Sequence, residues 1–232
     1  MSVYGDQKLT DRNRELKKWA MNSAFLEDGL PRMWFHGTDE DRPFNIFTRW
    51  DDDYSLGFHF GSKEAANDRL AQMYRMGPII EGVIIPVFCR ARSPLRLPDL
   101  YTWGQSTLVD ALFDKGVITD GIANYIEESC SVVPIFAAIE EAGYDCVVYS
   151  NLCEHHEEPT DSIFVWRSEL LKSPFASSFR THDPRLLPQN PTSSEDMRNW
   201  EMLGMEIATE REVIRSIRAE TLSGSLPAFS AA

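Results

Sequence analysis

The sequence predicts an α+β fold, with short strands and helices between and around them. Three features lead there. Met33-Trp34-Phe35 is an apolar run that stops at His36-Gly37-Thr38, and Gly57-Phe58-His59-Phe60 repeats the arrangement about twenty residues later. Residues 63–75, just behind it, carry Ala65, Ala66, Leu70 and Met73 at helical spacing. Residues 79–92 are then rich in β-branched side chains, as a long strand requires.

In chain order, residues 10–26 read as a helix with Leu16, Trp19, Ala20 and Ser23 along one face, ended by Gly29 and Pro31. The first core strand starts at 33–35. Residues 39–42 are a charged loop, Phe44, Ile46 and Phe47 an apolar return, and Asp51, Asp52 and Asp53 a solvated turn. Gly77-Pro78 closes the helix at 63–75, and Pro86 marks an edge or bulge in the long strand. Residues 93–99 turn the chain toward three short helices at 108–113, 122–126 and 135–142, punctuated by Gly116, Gly121 and Gly143. A strand at 145–149, a polar insertion at 151–160 and a last core strand at 161–166 follow, with 170–173 trailing behind. Ser, Pro, Asn and Arg mark a linker from Pro174 to Ser193. A final helix, capped by Ser193 or Ser194, carries Met197, Trp200, Leu203, Ile207, Ile214 and Ile217 as an apolar stripe. That stripe suits its own domain, a second copy or a partner. The division expected is 1–30 as a helical extension, 31–175 as the domain, and 176–232 as linker and terminal helix.

A chain of 232 residues with 43% hydrophobic content has enough material for one ordinary domain with extensions. It contains no apolar run long enough to span a membrane and no signal-peptide pattern at its start, so a cytoplasmic setting is expected. Cys89, Cys130, Cys146 and Cys153 lack paired spacing and sit in or beside apolar segments, which reads as buried free thiols. The net charge of −13 repels nucleic-acid phosphates, leaving a protein or small molecule as the expected partner. No metal is expected. Cys153-Glu154-His155-His156 has no second ligand cluster, and the aspartate triplet lacks the alternating oxygens of a calcium loop.

His36 at a strand end, followed by Gly37 and Thr38, offers a ligand one imidazole and one unobstructed backbone amide. If the two aromatic strands lie side by side, His59 enters the same cleft, while Phe58 and Phe60 face the opposite way into the core.

The order of these segments, His36-Gly37-Thr38, then Gly57 to Ser62 before a helix, then Gly143-Tyr144-Asp145-Cys146-Val147-Val148-Tyr149 and an Asp161-Ser162 strand, resembles the ADP-ribosyltransferase (ART) superfamily over residues 33–173. It is similar above all to the bacterial and phage ART domains found in phage polyvalent proteins. The resemblance implies a split, mainly antiparallel β core with a cleft for NAD as co-substrate, and transfer of one ADP-ribose to a protein, in the cell that makes the chain or in a host cell. It implies that His36 hydrogen-bonds the adenosine ribose and that Gly37, with Thr38 beside it, pairs its backbone with the nicotinamide carboxamide. Ser62 would contact the carboxamide, and His59 stands where many relatives have a tyrosine. A second stacking tyrosine of the relatives falls near residues 67–69, where this chain has none.

The third family position is usually a glutamate, and Asp161 is the candidate catalytic carboxylate here. Cleavage of the N-glycosidic bond builds oxocarbenium character on the ribose, which an aligned carboxylate stabilises. Strand alternation leaves an alternative open: Ser162 faces the cleft, and Glu157 or Glu158 reaches in from the preceding loop. Other activities also fit the resemblance. The His36 and His59 pair is similar to the RNA 2′-phosphotransferase branch, though the acidic balance and lack of an arginine set oppose it. NAD hydrolysis without transfer is another. The missing glutamate and tyrosine also fit an inactive ART-like binding or inhibitory module.

Overall fold

The structure, a computed structural model, describes residues 3–39, 45–47, 56–76, 82–129, 131–154 and 158–223. The described residues form an α+β fold, with two main sheets, a small two-stranded one and flanking helices. One sheet has three strands, all antiparallel: β3 (Met33–Thr38), β5 (Val83–Cys89) and β9 (Leu171–Lys172), with β5 central. The other runs β4 (Phe58–Phe60), β8 (Asp161–Val165), β7 (Cys146–Ser150) and β6 (Pro94–Arg96), antiparallel except that β6 and β7 are parallel.

Period-two alternation splits the core. Trp34, Val87, Cys89 and Leu171 of the first sheet meet Phe60, Cys146, Val148, Ile163 and Val165 of the second. The other face of the second sheet, with Val147, Tyr149 and Phe164, packs under α3 (Gln105–Asp114), α4 (Asp120–Ser129), α5 (Val133–Glu141) and α6 (Ser194–Ser223). On the outer face of the first sheet, α1 (Val3–Trp19) and the residue after it place Leu16, Trp19 and Ala20 against Phe88, Ala176 and Phe179. On the same sheet α2 (Lys63–Met76) covers Gly37 and buries Ala65, Ala66 and Leu70, whereas Met73, the fourth position read from its spacing, is only half-buried. The three helices of the middle region stand where the sequence puts them.

Four expectations are corrected. The first helix ends at Trp19 rather than near Leu26, and β1 (Leu26–Glu27) and β2 (Leu30–Pro31) form a small hairpin instead. Its turn residues Asp28 and Gly29 both have positive φ, 51° and 74°, the geometry that an Asp-Gly pair favours. Residues 94–96 are a strand rather than part of a turn. The strand at 161–165 is not the last, because Leu171 and Lys172 close the first sheet against Cys89 and Phe88. The linker by composition is a strap packed on the domain: Lys172, 0% exposed, donates to the Asp183 and Arg185 carbonyls, and Leu186 and Asn45 are joined by backbone. Pro86 is accommodated because β9 reaches only Phe88 and Cys89, so β5 is paired on one side at Pro86. The aspartate triplet, Phe44, Gly77-Pro78 and residues 79–81 lie outside the described residues.

The terminal helix is committed to its own domain. Ile207 and Ile214 are fully buried in the helical core. Arg211 and Arg215 reach Glu141 at 3.4 and 2.9 Å, while Glu140 holds Arg167 at 2.7 Å and the Trp166 indole at 3.0 Å. No helix among the described residues is long and apolar enough to cross a membrane. Cys89 and Cys146 are buried free thiols, with burial pushing Cys89 up to about 12. Cys130 lies outside the described residues.

Candidate functional site

The two sheets touch where β3 meets β4, through the paired amides and carbonyls of Phe35 and Gly61 at 3.0 and 2.9 Å. Beyond that bridge the strands part, and a cleft of about 960 Å³ opens. Its lining includes His36, Gly37 and Thr38 from β3, His59 from β4, Arg69 from α2, Trp103 from the loop after β6, and Tyr149, Asn151 and Ser162 from β7, its following loop and β8.

The two histidines do line one cleft, yet their rings lie on opposite faces of the strand pair. His36 is ringed by Phe47, Phe58 and Phe60 in the layer between the sheets, with centroids 5.4, 6.1 and 5.3 Å away. His59 sits on the helical face beside Trp103 and Phe164, at 4.9 and 5.1 Å. They communicate through backbone: His36 Nδ1 donates to the His59 carbonyl at 2.8 Å, since a carbonyl can only accept. His59 Nδ1 lies 2.9 Å from the Tyr149 hydroxyl. Burial, with the nearby charges of His36 and Arg69, lowers the His59 pKa to about 3, so its imidazole is neutral at ordinary pH. Burial first, then Glu154 and Asp99, raises that of Tyr149, which stays a protonated phenol.

Gly37 lines the cleft, but a Cβ there would stand 2.5 Å from the Ala66 carbonyl oxygen, so the close approach of α2 already requires glycine. Ser62 is not in the lining; its Oγ accepts the Ala65 amide at 3.1 Å and caps α2. Asp161 is outside the cleft as well. Arg96 holds it with two hydrogen bonds, 2.6 and 3.0 Å, at the half-exposed edge of the second sheet. The alternation in β8 instead puts Ser162, 1% exposed, in the lining. Glu158 is exposed and outside the lining, and Glu157 and both histidines of the His155-His156 pair lie outside the described residues.

The carboxylates that do line the cleft are Asp39, Asp99, Glu154, Glu195 and Asp196. Asp99 is engaged, accepting the Tyr101 and Leu152 amides at 2.9 and 2.7 Å and so tying the Trp103 loop to the loop after β7. Sequence reasoning missed Arg69, Trp103, Tyr149 and Asn151. Arg69 makes no salt bridge or hydrogen bond among the described residues, and its signal was its place on the same helical face as Ala65, Ala66 and Met73. Trp103 lies in an irregular loop, where periodicity is silent.

No family model, curated protein or solved structure matches the chain.

Proposed function

We propose that this chain is an ART-type domain that binds NAD in the cleft between its sheets and transfers ADP-ribose to a protein. The observation that carries the reading is the pair of histidines from adjacent strands at the point where an antiparallel core splits, flooring a cleft large enough for a dinucleotide. Arg69 suits the pyrophosphate, and Trp103 offers an aromatic face for a base or nicotinamide ring. His36 and the Gly37-Thr38 backbone would seat the riboside end. In the transfer, the carbon–nitrogen bond to nicotinamide breaks with its electron pair on the departing ring, and a nucleophile of the target bonds the ribose carbon and loses its proton.

Such a step wants a negative charge near the ribose. Asp161 is turned to Arg96, so Glu154, which lines the cleft and follows Asn151 closely, is the better candidate. An uncharged Ser162 in the lining favours a second reading, a cleft that binds NAD without cleaving it. Calorimetric titration with NAD, followed by single-turnover cleavage and mass spectrometry of proteins incubated with labelled NAD, separates the readings. Label on protein supports transfer, free ADP-ribose alone indicates hydrolysis, and binding without cleavage supports the second reading. No NAD binding refutes both.

A further inference from the structure

Asn151 and Tyr149 make the buried hydrogen bonds behind His59. Asn151, 3% exposed, accepts the Cys153 and Glu154 amides on Oδ1 at 3.1 and 3.0 Å; backbone N–H groups only donate, so the remaining amide atom is the nitrogen. That Nδ2 donates to Ser162 Oγ at 3.1 Å. Ser162 stands opposite Tyr149 in the β7–β8 ladder, and the hydrogen-bond partner of the Tyr149 hydroxyl is His59 Nδ1. Buried at 4% exposure, that phenol needs an acceptor for its proton, and His59 Nδ1 lies 2.9 Å away to take it. A ring nitrogen that accepts carries no proton, which leaves the proton of the neutral ring on Nε2. His59 Nε2 has no protein partner among the described residues and is not one of the buried orphaned atoms, so the cleft reaches it.

We propose that Tyr149 is a positioning residue that fixes His59 as a neutral imidazole protonated on Nε2, so that the cleft wall presents a hydrogen-bond donor selecting acceptor oxygens, such as a carboxamide carbonyl or a phosphate, over cationic groups. The depressed proton affinity of His59, caused by burial and then by His36 and Arg69, keeps the ring in the neutral form that has a tautomer to fix. His36 is fixed in the opposite sense, with its Nδ1 proton given to the His59 carbonyl. The identity of the acceptor rests on the NAD reading above, whereas the tautomer does not.

Long-range proton–nitrogen spectra of the full chain, with nitrogen-15 histidine and His59 assigned by His59→Gln, read the tautomer directly. In the unmodified protein, His59 Nδ1 should give a pyridine-type signal and Nε2 a pyrrole-type signal. Tyr149→Phe should pull the two toward averaged values while leaving the His36 pattern intact, which also reports folding. If Tyr149→Phe does not fold, the Nδ1 and Nε2 signals of the unmodified protein decide alone. In a titration, Tyr149→Phe should weaken NAD about 3- to 10-fold, the loss of one hydrogen bond. A pyrrole-type Nδ1 in the unmodified protein overturns the proposal, as does a His59 spectrum unmoved by Tyr149→Phe. A lost tautomer with unchanged NAD affinity overturns the selection role. If the tautomer is as stated but NAD does not bind, the NAD reading fails and the tautomer assignment stands.

Discussion

Side chains two apart in β8 share a face, so Ser162 joins Phe164 beneath the helices and Asp161 turns to the opposite side. That division separates two substitutions. Asp161→Asn should leave NAD cleavage nearly unchanged and cost less than about 1 kcal/mol of stability, because its ion pair with Arg96 is half-exposed. Glu154→Gln should lower single-turnover cleavage by about 10² to 10³ with little change in affinity, the scale for losing one preorganised charge. A normal rate for Glu154→Gln would remove it as the catalytic carboxylate. Gly37→Ala should be a folding defect before it is a binding defect. Its methyl would meet the Ala66 carbonyl of α2, and overpacking of this kind costs about 1–3 kcal/mol, readable as a lower urea midpoint without NAD present.

At the scale of elements, α6 shows why a stripe of side chains does not name its partner. Ile207 and Ile214 are spaced for one face, and the sequence carries no mark of what lies opposite; the apposed face is that of α5, with Glu140 and Glu141 gathering arginines from α6 and from the end of β8. Ile214→Ala should destabilise the chain by about 2–5 kcal/mol in equilibrium unfolding, the range for emptying a packed aliphatic site. A loss under about 1 kcal/mol would mean the helix is peripheral to the fold. The helices and the aromatic strands were legible because their patterns span several residues. The strands β6 and β9 were not, since three residues and two residues carry no periodicity and both exist by pairing with a distant neighbour. Likewise the strap of residues 174–193 has a linker's composition, and its burial comes from carbonyls that accept Lys172 and Ser168. Of the cleft, His36 and His59 were readable from their strands, whereas Arg69, Trp103 and Tyr149 arrive from three separate segments.

For the whole molecule, His59 ties stability to acidity. Its pKa falls from 6.5 to about 3 on folding, mainly through burial. Between those values the unfolded chain binds a proton that the folded chain refuses, so this contribution is fully present above pH 6.5 and is lost as pH falls toward 3. The slope is at most about 1.4 kcal/mol per pH unit, and less because the ring is partly exposed to the cleft. His59→Gln should therefore flatten the acid side of the stability profile relative to the unmodified protein. Parallel profiles for the two proteins would show that His59 titrates normally.

The chain crosses between the sheets repeatedly: β3 lies in one, β4 in the other, β5 in the first, β6 to β8 in the second, and β9 back in the first. Neither sheet is contiguous, and β4 meets β8 only when Phe58 finds Val165. Closing so long a loop costs entropy before any ladder compensates for it, which makes this a slow-folding topology, in the millisecond-to-second range or beyond. A nascent chain holding everything up to α5 would still lack β7 and β8, the strands that bind β4 and β6, and so would remain without its second sheet. The cleft is thus among the last things that synthesis can complete.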